Sequence, residues 1–452
     1  PYTVFDGPSG PGICDDMGLP TYSVNTSTLN LAVQDTDFSY HARGNKVAMT
    51  RTYNASPQGN GMFGTGWRFA YESIITKYCT GGIVKKGSGQ ELNFTTTSDL
   101  CDTYTSPVAL SPPVGIFDTL TYYGDYFLFK EKEGGDVYRY DQLPDLITYR
   151  LASITDPNGN VLTFTYNASG TIQNIADDAD RVTTFDYNAG DRCTSMTTPD
   201  GDSVTYAYSE TGQLTQNVDL AGAVITYTYD SEGYLTSLST DGKTTSFAYG
   251  SEAGWKHVVT VTDARGNKTT YNVVTADPRE IKVTDAQGKV TRHKSKEGKT
   301  TEVINPLGYT KTTTYTNGLP VSIKDANGGI ASMEYDPKGN LTKYTDPLGK
   351  VTQYTYDANN NPVSMKNALD QTLTYSYDKK NLLSVTSPTG KKTSMTYDAK
   401  GQLLTMKDAN ENTTTLTYTA KGSLQTIKDP LNQVTTMYYN ASELKKTSET
   451  VS

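Results

Sequence analysis

From about residue 140 onward, the chain is written in runs of about six residues with period-two alternation. Each run is closed by a cluster of Asp, Asn, Pro and Gly. In one such run Val351, Gln353 and Thr355 fall on one face, and Thr352, Tyr354 and Tyr356 on the other. The pattern predicts short strands joined by tight turns. A full unit reads Tyr335-Asp336-Pro337-Lys338-Gly339, a strand over 340–345, Asp346-Pro347-Leu348-Gly349, and a strand over 350–356. In the first turn Asp336 bonds its own backbone, and Gly339 supplies the left-handed conformation. The same slot, four residues after the tyrosine, holds Gly170, Gly212, Gly233, Gly401 and Gly422, or else Asn360 and Asn381. In the second turn Pro presets φ and Gly closes, a device repeated at Asp156–Gly159, Asn305–Gly308 and Ser387–Gly390.

The unit recurs every 20 to 22 residues. Its marker is a tyrosine at Tyr166, Tyr187, Tyr208, Tyr229, Tyr249 and Tyr271, then at Tyr315, Tyr335, Tyr356, Tyr377, Tyr397, Tyr418 and Tyr439. His293 stands in the slot between, and Tyr140-Asp141 reads as an earlier, lengthened repeat. One hairpin cannot bury its tyrosine face alone, so neighbours must stack. Some fourteen repeats give roughly 28 strands, and an open twisted sheet rarely exceeds about ten without curling. The sheet is therefore expected to coil, into a hollow shell or a filled spiral. With only 35% hydrophobic residues, the chain is too poor in apolar side chains for a filled core of that size, which favours the hollow form.

Composition agrees with an all-β chain. Tyr outnumbers Phe 34 to 11 and Thr is abundant, whereas disorder would require few aromatics. No stretch approaches the run of apolar residues that a membrane helix needs. The net charge of −9 argues against nucleic acid as a partner, since phosphate contacts need a clustered basic surface. That charge is uneven. Residues 1–285 carry −15 and residues 286–452 carry +6, so the basic end suits an acidic partner, including the acidic end of another copy.

The cysteines are Cys14, Cys79, Cys101 and Cys193, without the close pairs of a metal site. Three pairings are open. Cys79 with Cys101 is the expected one, because both flank a single Gly/Ser/Thr-rich excursion; the alternative is four free thiols. The start at Pro1-Tyr2-Thr3, with neither initiator Met nor signal peptide, reads as processed or excerpted from something longer.

The Tyr-Asp pairs at Tyr229-Asp230, Tyr335-Asp336, Tyr356-Asp357, Tyr377-Asp378 and Tyr397-Asp398 resemble the repeats of the RHS/YD-repeat family. The resemblance runs from about residue 20 to 452. It includes Thr50-Arg51-Thr52-Tyr53-Asn54 and Phe63-Gly64-Thr65-Gly66-Trp67, which look like the family's segment before its first repeats. In that family, which includes bacterial toxins, Tc-toxin shell components and animal teneurins, the repeats wind into a β-sheet cocoon. The toxin members enclose a C-terminal cargo behind a core motif with an Arg-Tyr-Tyr-Asp stretch and a Gly-Arg-Phe. This chain has neither stretch, so the resemblance implies the shell and leaves self-cleavage and cargo aside.

Few residues offer chemistry of their own. Gly59-Asn60-Gly61-Met62-Phe63-Gly64 fits a dinucleotide fingerprint in letters, but Thr65–Phe69 directly after it are strand-like. A glycine loop anchored by Trp67 is therefore expected, and no cofactor. His41, His257 and His293 lie in unrelated segments without a nucleophile motif. Turns such as Asp325–Gly328 and Asp408–Glu411 brush against calcium-loop patterns but supply too few oxygens. Exposed Tyr and Trp beside Asn and Asp suit glycans, although the strict period favours a packed structural ladder. Asn54, Asn167 and Asn440 each open an Asn-Ala-Ser sequon, which points toward an extracellular location.

Two domains are expected: an irregular β-rich domain over 1–139 and the repeat array over 140–452. The expected function is non-enzymatic. The chain reads as a secreted, cell-surface or extracellular scaffold, a shell segment that encloses or displays the cargo of a longer parent chain. The alternative is a filament or adhesin subunit, assembling with other copies head to tail through open strand edges, with surface glycans as a further partner. Membrane insertion is not expected.

Overall fold

The computed structural model describes residues 19–451 apart from positions 45, 56–58, 103, 253 and 445, and contains strands and turns only. Cys14 lies outside the described residues. The first strands are β1 (Thr21–Val24), β2 (Leu31–His41), β3 (Lys46–Asn54), β4 (Asn60–Gly61), β5 (Gly64–Thr65) and β6 (Trp67–Phe69). They form an antiparallel sheet of order β1-β2-β3-β6, with β4 and β5 as a small separate hairpin.

The next eight strands are β7 (Ile74–Tyr78), β8 (Gly81–Lys85), β9 (Glu91–Thr95), β10 (Val108–Leu110), β11 (Thr119–Tyr122), β12 (Tyr126–Lys130), β13 (Val137–Gln142) and β14 (Thr148–Thr155). Each pairs antiparallel with the next from β7 to β9 and from β10 to β14, and β14 pairs back onto β7. A bridge between Thr95 and Ser111 joins β9 to β10, with backbone N···O distances of 3.0 and 2.7 Å. The eight strands therefore close on themselves. Alternate side chains point inward, so Ile75, Val84, Phe94, Leu120, Phe127, Phe129 and Tyr149 are buried at 0–1% exposure. The small ring is filled, as expected of a barrel of this strand number.

From β14 the ladder continues through 28 further strands, ending at Lys446–Val451, each paired antiparallel with its successor. The sheet is continuous across residue 140. β14 serves both structures: Thr148–Arg150 pair with β7, and Ser153–Thr155 pair with Val161–Thr163.

The turns follow the local chemistry. Asp336 Oδ1 accepts from the amides of Lys338 and Asn340 at 2.9 and 2.8 Å, and Gly339 has φ of +74°. Asp325 and Asp408 use one carboxylate oxygen in the same way, on amides two and four residues ahead. The turn after Tyr377 departs from the expected form. It is a two-residue connection in which Lys379 takes the positive φ of 54°, and Asn381 already pairs with Asp378 inside the ladder. Sequence spacing from the tyrosine located the turn but not its length, which the strand register sets.

The long sheet coils until its turns meet. Asp178 accepts from Lys400 Nζ at 2.6 Å across 222 residues, and Asn158 and Asn381 exchange amide bonds at 2.9 and 3.3 Å across 223. Asn160 Nδ2 donates to Lys400 O at 2.9 Å across 240. Asn440 Nδ2 donates to Asp200 at 2.8 Å across the same separation, and Ser442 donates to Asp200 as well. One coil therefore takes roughly 21 strands, which at about 4.8 Å per strand gives a circumference of about 100 Å and a diameter of about 32 Å.

Candidate functional site

For a coiled sheet, the surfaces that matter are its inner wall, whatever covers that wall, and the seam where coils meet. The inner wall is built by a bulge. At each repeat tyrosine the ladder slips by one residue: Thr165 pairs with Asn174, but Tyr166 pairs with Ile172. The same shift occurs at Tyr187, Tyr208, Tyr229, Tyr249, Tyr315, Tyr335, Tyr356, Tyr377, Tyr397, Tyr418 and Tyr439. It also occurs at Tyr140.

A bulge interrupts ladder bonding, and the phenol of the following repeat takes up the carbonyl there. Tyr187 donates to Ile172 O at 2.6 Å, Tyr208 to Cys193 O at 2.6 Å, Tyr356 to Leu341 O at 2.9 Å, and Tyr439 to Leu424 O at 2.6 Å. Tyr166, Tyr249, Tyr315, Tyr335 and Tyr418 do likewise. In these nine repeats the tyrosine satisfies a backbone group of the repeat before it. Burial pushes these phenols above their ordinary value, in Tyr166, Tyr187, Tyr208, Tyr229 and Tyr249 and also in Tyr335, Tyr356, Tyr377, Tyr397, Tyr418 and Tyr439.

Two slots were misplaced by counting tyrosines. Tyr271 pairs with Val283 and is 5% exposed, the register of Phe164 and Phe247, while Val273, paired with Ile281, holds the bulge position. In the next repeat His293 pairs with Val303 and points inward, and Ser295 holds the bulge position. His293 is therefore not a substituted repeat tyrosine. Burial alone lowers its pKa. The shift follows the long hairpin Lys243–Glu252 and Trp255–Thr262, which lengthens the repeat after Tyr249. The smaller side chains leave room for the N-terminal segment, since Ser27 Oγ meets Ser295 Oγ at 2.9 Å and Leu29 O accepts from Val258 N at 3.1 Å.

That contact belongs to a cover. The N-terminal sheet lies on the inner wall of the first repeats, and its docking groups take amides at three bulges. Met62 O accepts from Cys193 N at 2.9 Å, the Tyr53 hydroxyl from Leu235 N at 2.9 Å, and Leu29 O from Val258 N. Rings interleave across the interface, with Phe63 on Tyr206, Trp67 on Tyr227, Phe69 on Phe185 and Tyr71 on Phe164 at centroid distances of 4.9–5.6 Å. Trp67 Nε1 donates to the Tyr229 hydroxyl at 2.9 Å.

At the centre sits Arg51, fully buried. Its guanidinium reaches Asp37 through Nε and Nη2 at 2.7 Å each and Asp35 at 2.8 Å, and lies 5.1–5.5 Å from the rings of Phe63, Trp67 and Tyr206. Burial opposes its charge, but Asp37 and Asp35 outweigh that and hold the pKa above its ordinary value. The sequence marked Thr50–Asn54 by resemblance only. Nothing in it paired Arg51 with Asp35 and Asp37, which come together because Asp35 pairs directly with Arg51 and Asp37 is the residue that bulges out of the β2–β3 ladder.

The glycine-rich stretch over 59–64 is the β4–β5 hairpin, whose corner presents Phe63 to the repeats. The sulfurs of Cys79 and Cys101 are bonded, tying the β7–β8 turn to the segment after β9. Cys193 is buried and reduced, and burial raises its pKa well above the ordinary value. His257 stacks on Trp255, and His41 ends β2. Among the sequon asparagines, Asn54 is buried, Asn167 donates to Thr171 Oγ1 at 2.7 Å, and Asn440 lies in the seam.

Family comparisons agree with this geometry. A family model described as Teneurin YD-shell matches residues 123–315, and the RHS Repeat model matches 335–372, 356–392, 377–413 and 397–434. The chain belongs to the RHS/YD-repeat family. A further model, a domain of unknown function (DUF6531), matches residues 21–94, the covering sheet and the start of the ring.

Among curated proteins, this RHS/YD-repeat chain is 29% identical over 151 residues to the tRNA nuclease WapA of Bacillus subtilis (strain 168). It matches the tRNA3(Ser)-specific nuclease WapA of Bacillus spizizenii to the same extent. The match covers 33% of this chain and only 6% of those relatives. Solved structures with a similar course include TcdB2-TccC3 without its hypervariable C-terminal region, at TM-score 0.46 and 11% identity, covering 93% of this chain and 27% of that one. The Photorhabdus luminescens Tc holotoxin pore is similar at TM-score 0.41 and 12% identity, covering 93% and 29%.

Proposed function

We propose that this chain is a wall segment of a secreted RHS-type shell, a scaffold without chemistry of its own that encloses or displays the cargo of a longer protein. One observation carries the reading: a single unbroken ladder returns on itself after about one coil and seals turn against turn, from Asn158–Asn381 to Asp200–Asn440. A wall needs such a seam, whereas an isolated ribbon does not. The nuclease activity named for the WapA relatives is a property of those far longer proteins. On this reading, a shell protein of the kind places its chemistry elsewhere in the chain.

Electron microscopy of the purified chain across a wide concentration range tests the proposal. Discrete, curved, hollow particles of one chain each are the expected result. Regular filaments that lengthen with concentration would overturn it and make the chain a fibre subunit. Their assembly edge would then be Lys446–Val451, whose side chains are exposed along the whole strand.

A further inference from the structure

The seam encloses a cleft of about 740 Å³ between the ring strands and the turns of the later coil. Its walls come from three separate parts of the chain. Phe117 and Pro157 form an apolar side, and five lysines, Lys130, Lys132, Lys338, Lys379 and Lys380, line the rest; Lys132 lies 5.1 Å over the Phe117 ring and donates to Gly339 O at 2.9 Å. Carboxylates also line it, but each is engaged within the protein. Asp118 accepts from Lys132 N at 3.0 Å and pairs with Lys86, and Glu131 accepts from Lys86 at 3.1 Å and from Tyr138 at 3.2 Å. Asp156 is held by the amides of Asn158 and Asn160 and by the Asn160 side chain at 2.7 Å.

The lysines are less committed. Lys338 donates only to Ala358 O at 3.2 Å, and Lys130, Lys379 and Lys380 make no side-chain hydrogen bond or ion pair among the described residues. Burial lowers the pKa of Lys380, and the adjacent Lys130 and Lys132 lower it further against the pull of Asp357 and Glu133. Converging ammoniums repel, and among the described residues no carboxylate forms an ion pair with Lys130, Lys379 or Lys380, although Asp357 and Glu133 attract Lys380 from farther off.

We propose that this cleft is a binding site for an anionic saccharide, its sulfate or carboxylate groups taken by Lys130, Lys379 and Lys380 and its ring faces laid on Phe117 and Pro157. Ammoniums suit this role because they are compact point charges on flexible stems, able to follow oxyanions spaced along a sugar chain. The apolar side matches the C–H faces of a pyranose and gives the cleft a preference beyond charge. The site depends on the coil being closed, because Lys130 and Lys380 lie on opposite sides of the seam. It does not depend on what the shell encloses.

Isothermal titration calorimetry on the full chain decides the matter, with a sulfated oligosaccharide, an oligogalacturonide, inorganic phosphate and a neutral dextran oligomer as probes. Binding of the sulfated or the uronate oligosaccharide is expected, weakened by salt, and the stronger of the two identifies the source of the charge. The K130Q/K380Q double variant should lose affinity by about tenfold or more, as for lost charge-assisted bonds. K379Q should lose less, and K324Q, an exposed lysine outside the cleft, should lose nothing. Melting temperatures close to that of the parent chain would confirm that the variants fold. Dextran binding as tight as the charged sugars, phosphate binding as tight as either oligosaccharide, or undiminished affinity in both cleft variants would overturn the proposal.

Discussion

The early and late repeats are written in one pattern and end up in two environments. Between Val161 and Thr284 the inward residue two before each bulge position is buried: Phe164, Phe185, Tyr206, Tyr227, Phe247 and Tyr271 are all at 3–6% exposure. The same position at Met333, Tyr354, Tyr375, Met395 and Leu416 is only half-buried, and the corner leucines Leu307, Leu348, Leu369 and Leu431 are 77–81% exposed. Both regions keep the bulge, the tyrosine bond and the aspartate turns. The difference is the cover. The N-terminal sheet packs its aromatic rings on the first repeats, whereas it meets the later ones at its β2–β3 turn, where Arg43 donates to Ala420 O, so the repeat supplies backbone geometry and its partner supplies the core.

Alkaline titration has the largest expected effect, and it acts on both regions at once. A phenol whose pKa is higher in the folded than in the unfolded chain contributes its full stability below the unfolded value of about 10 and loses it as pH rises beyond. With burial raising the repeat phenols in both regions, and that of Tyr271 to about 12, the chain is expected to unfold cooperatively above about pH 10. Ultraviolet difference spectroscopy should show tyrosinate appearing together with loss of strand signal. Ordinary, non-cooperative ionisation near 10 would dismiss the ladder as a stabilising device.

Arg51→Ala removes the cation that holds Asp37 in a dry site, and a cost of about 3–5 kcal/mol is expected. Hydrogen exchange should rise at Cys193, Leu235 and Val258 and hold steady across 335–440. A uniform rise would mean that cover and wall form one cooperative unit.

At the seam, a Cβ on Gly339 would lie 2.5 Å from the Phe117 ring, whereas one on Gly349 meets nothing within 4 Å, and both glycines have positive φ. Gly349→Ala should cost about 1 kcal/mol from the backbone alone. Gly339→Ala should cost about 2 kcal/mol and open the coil. Equal denaturation midpoints for the two would show that the seam contributes little.

The smallest contrast is Tyr208→Phe against Tyr356→Phe. The first leaves a carbonyl unsatisfied beneath the cover, at about 1–2 kcal/mol; the second leaves one that water reaches, at about 0.5 kcal/mol. Urea denaturation midpoints of the two variants would measure the difference.

Much of this was legible in the residues. Alternation, turn chemistry and the 20–22-residue period gave the strands, the hairpin meander and the need to coil, because those are set by neighbours in sequence. The covering sheet's grip was not legible. Arg51 and its aspartates carry no spacing signal, and the slots at Val273 and Ser295 vanish once a tyrosine two residues away, or a histidine, is counted in their place.

The sequence alone therefore determined the repeat: a local unit whose strands, bulges and turns answer to side chains a few residues apart. The tertiary structure decided which repeats are buried, where the coil seals and which eight strands close into a ring. Those outcomes rest on contacts distant in sequence: the ring closes where Thr148 pairs with Thr76, Tyr71 of the segment after the cover meets Phe164, and the seam joins residues from Arg43–Asp178, 135 apart, to Asp200–Ser442, 242 apart. No local pattern specifies such contacts, because accumulated strand twist over a whole coil sets which turns arrive side by side.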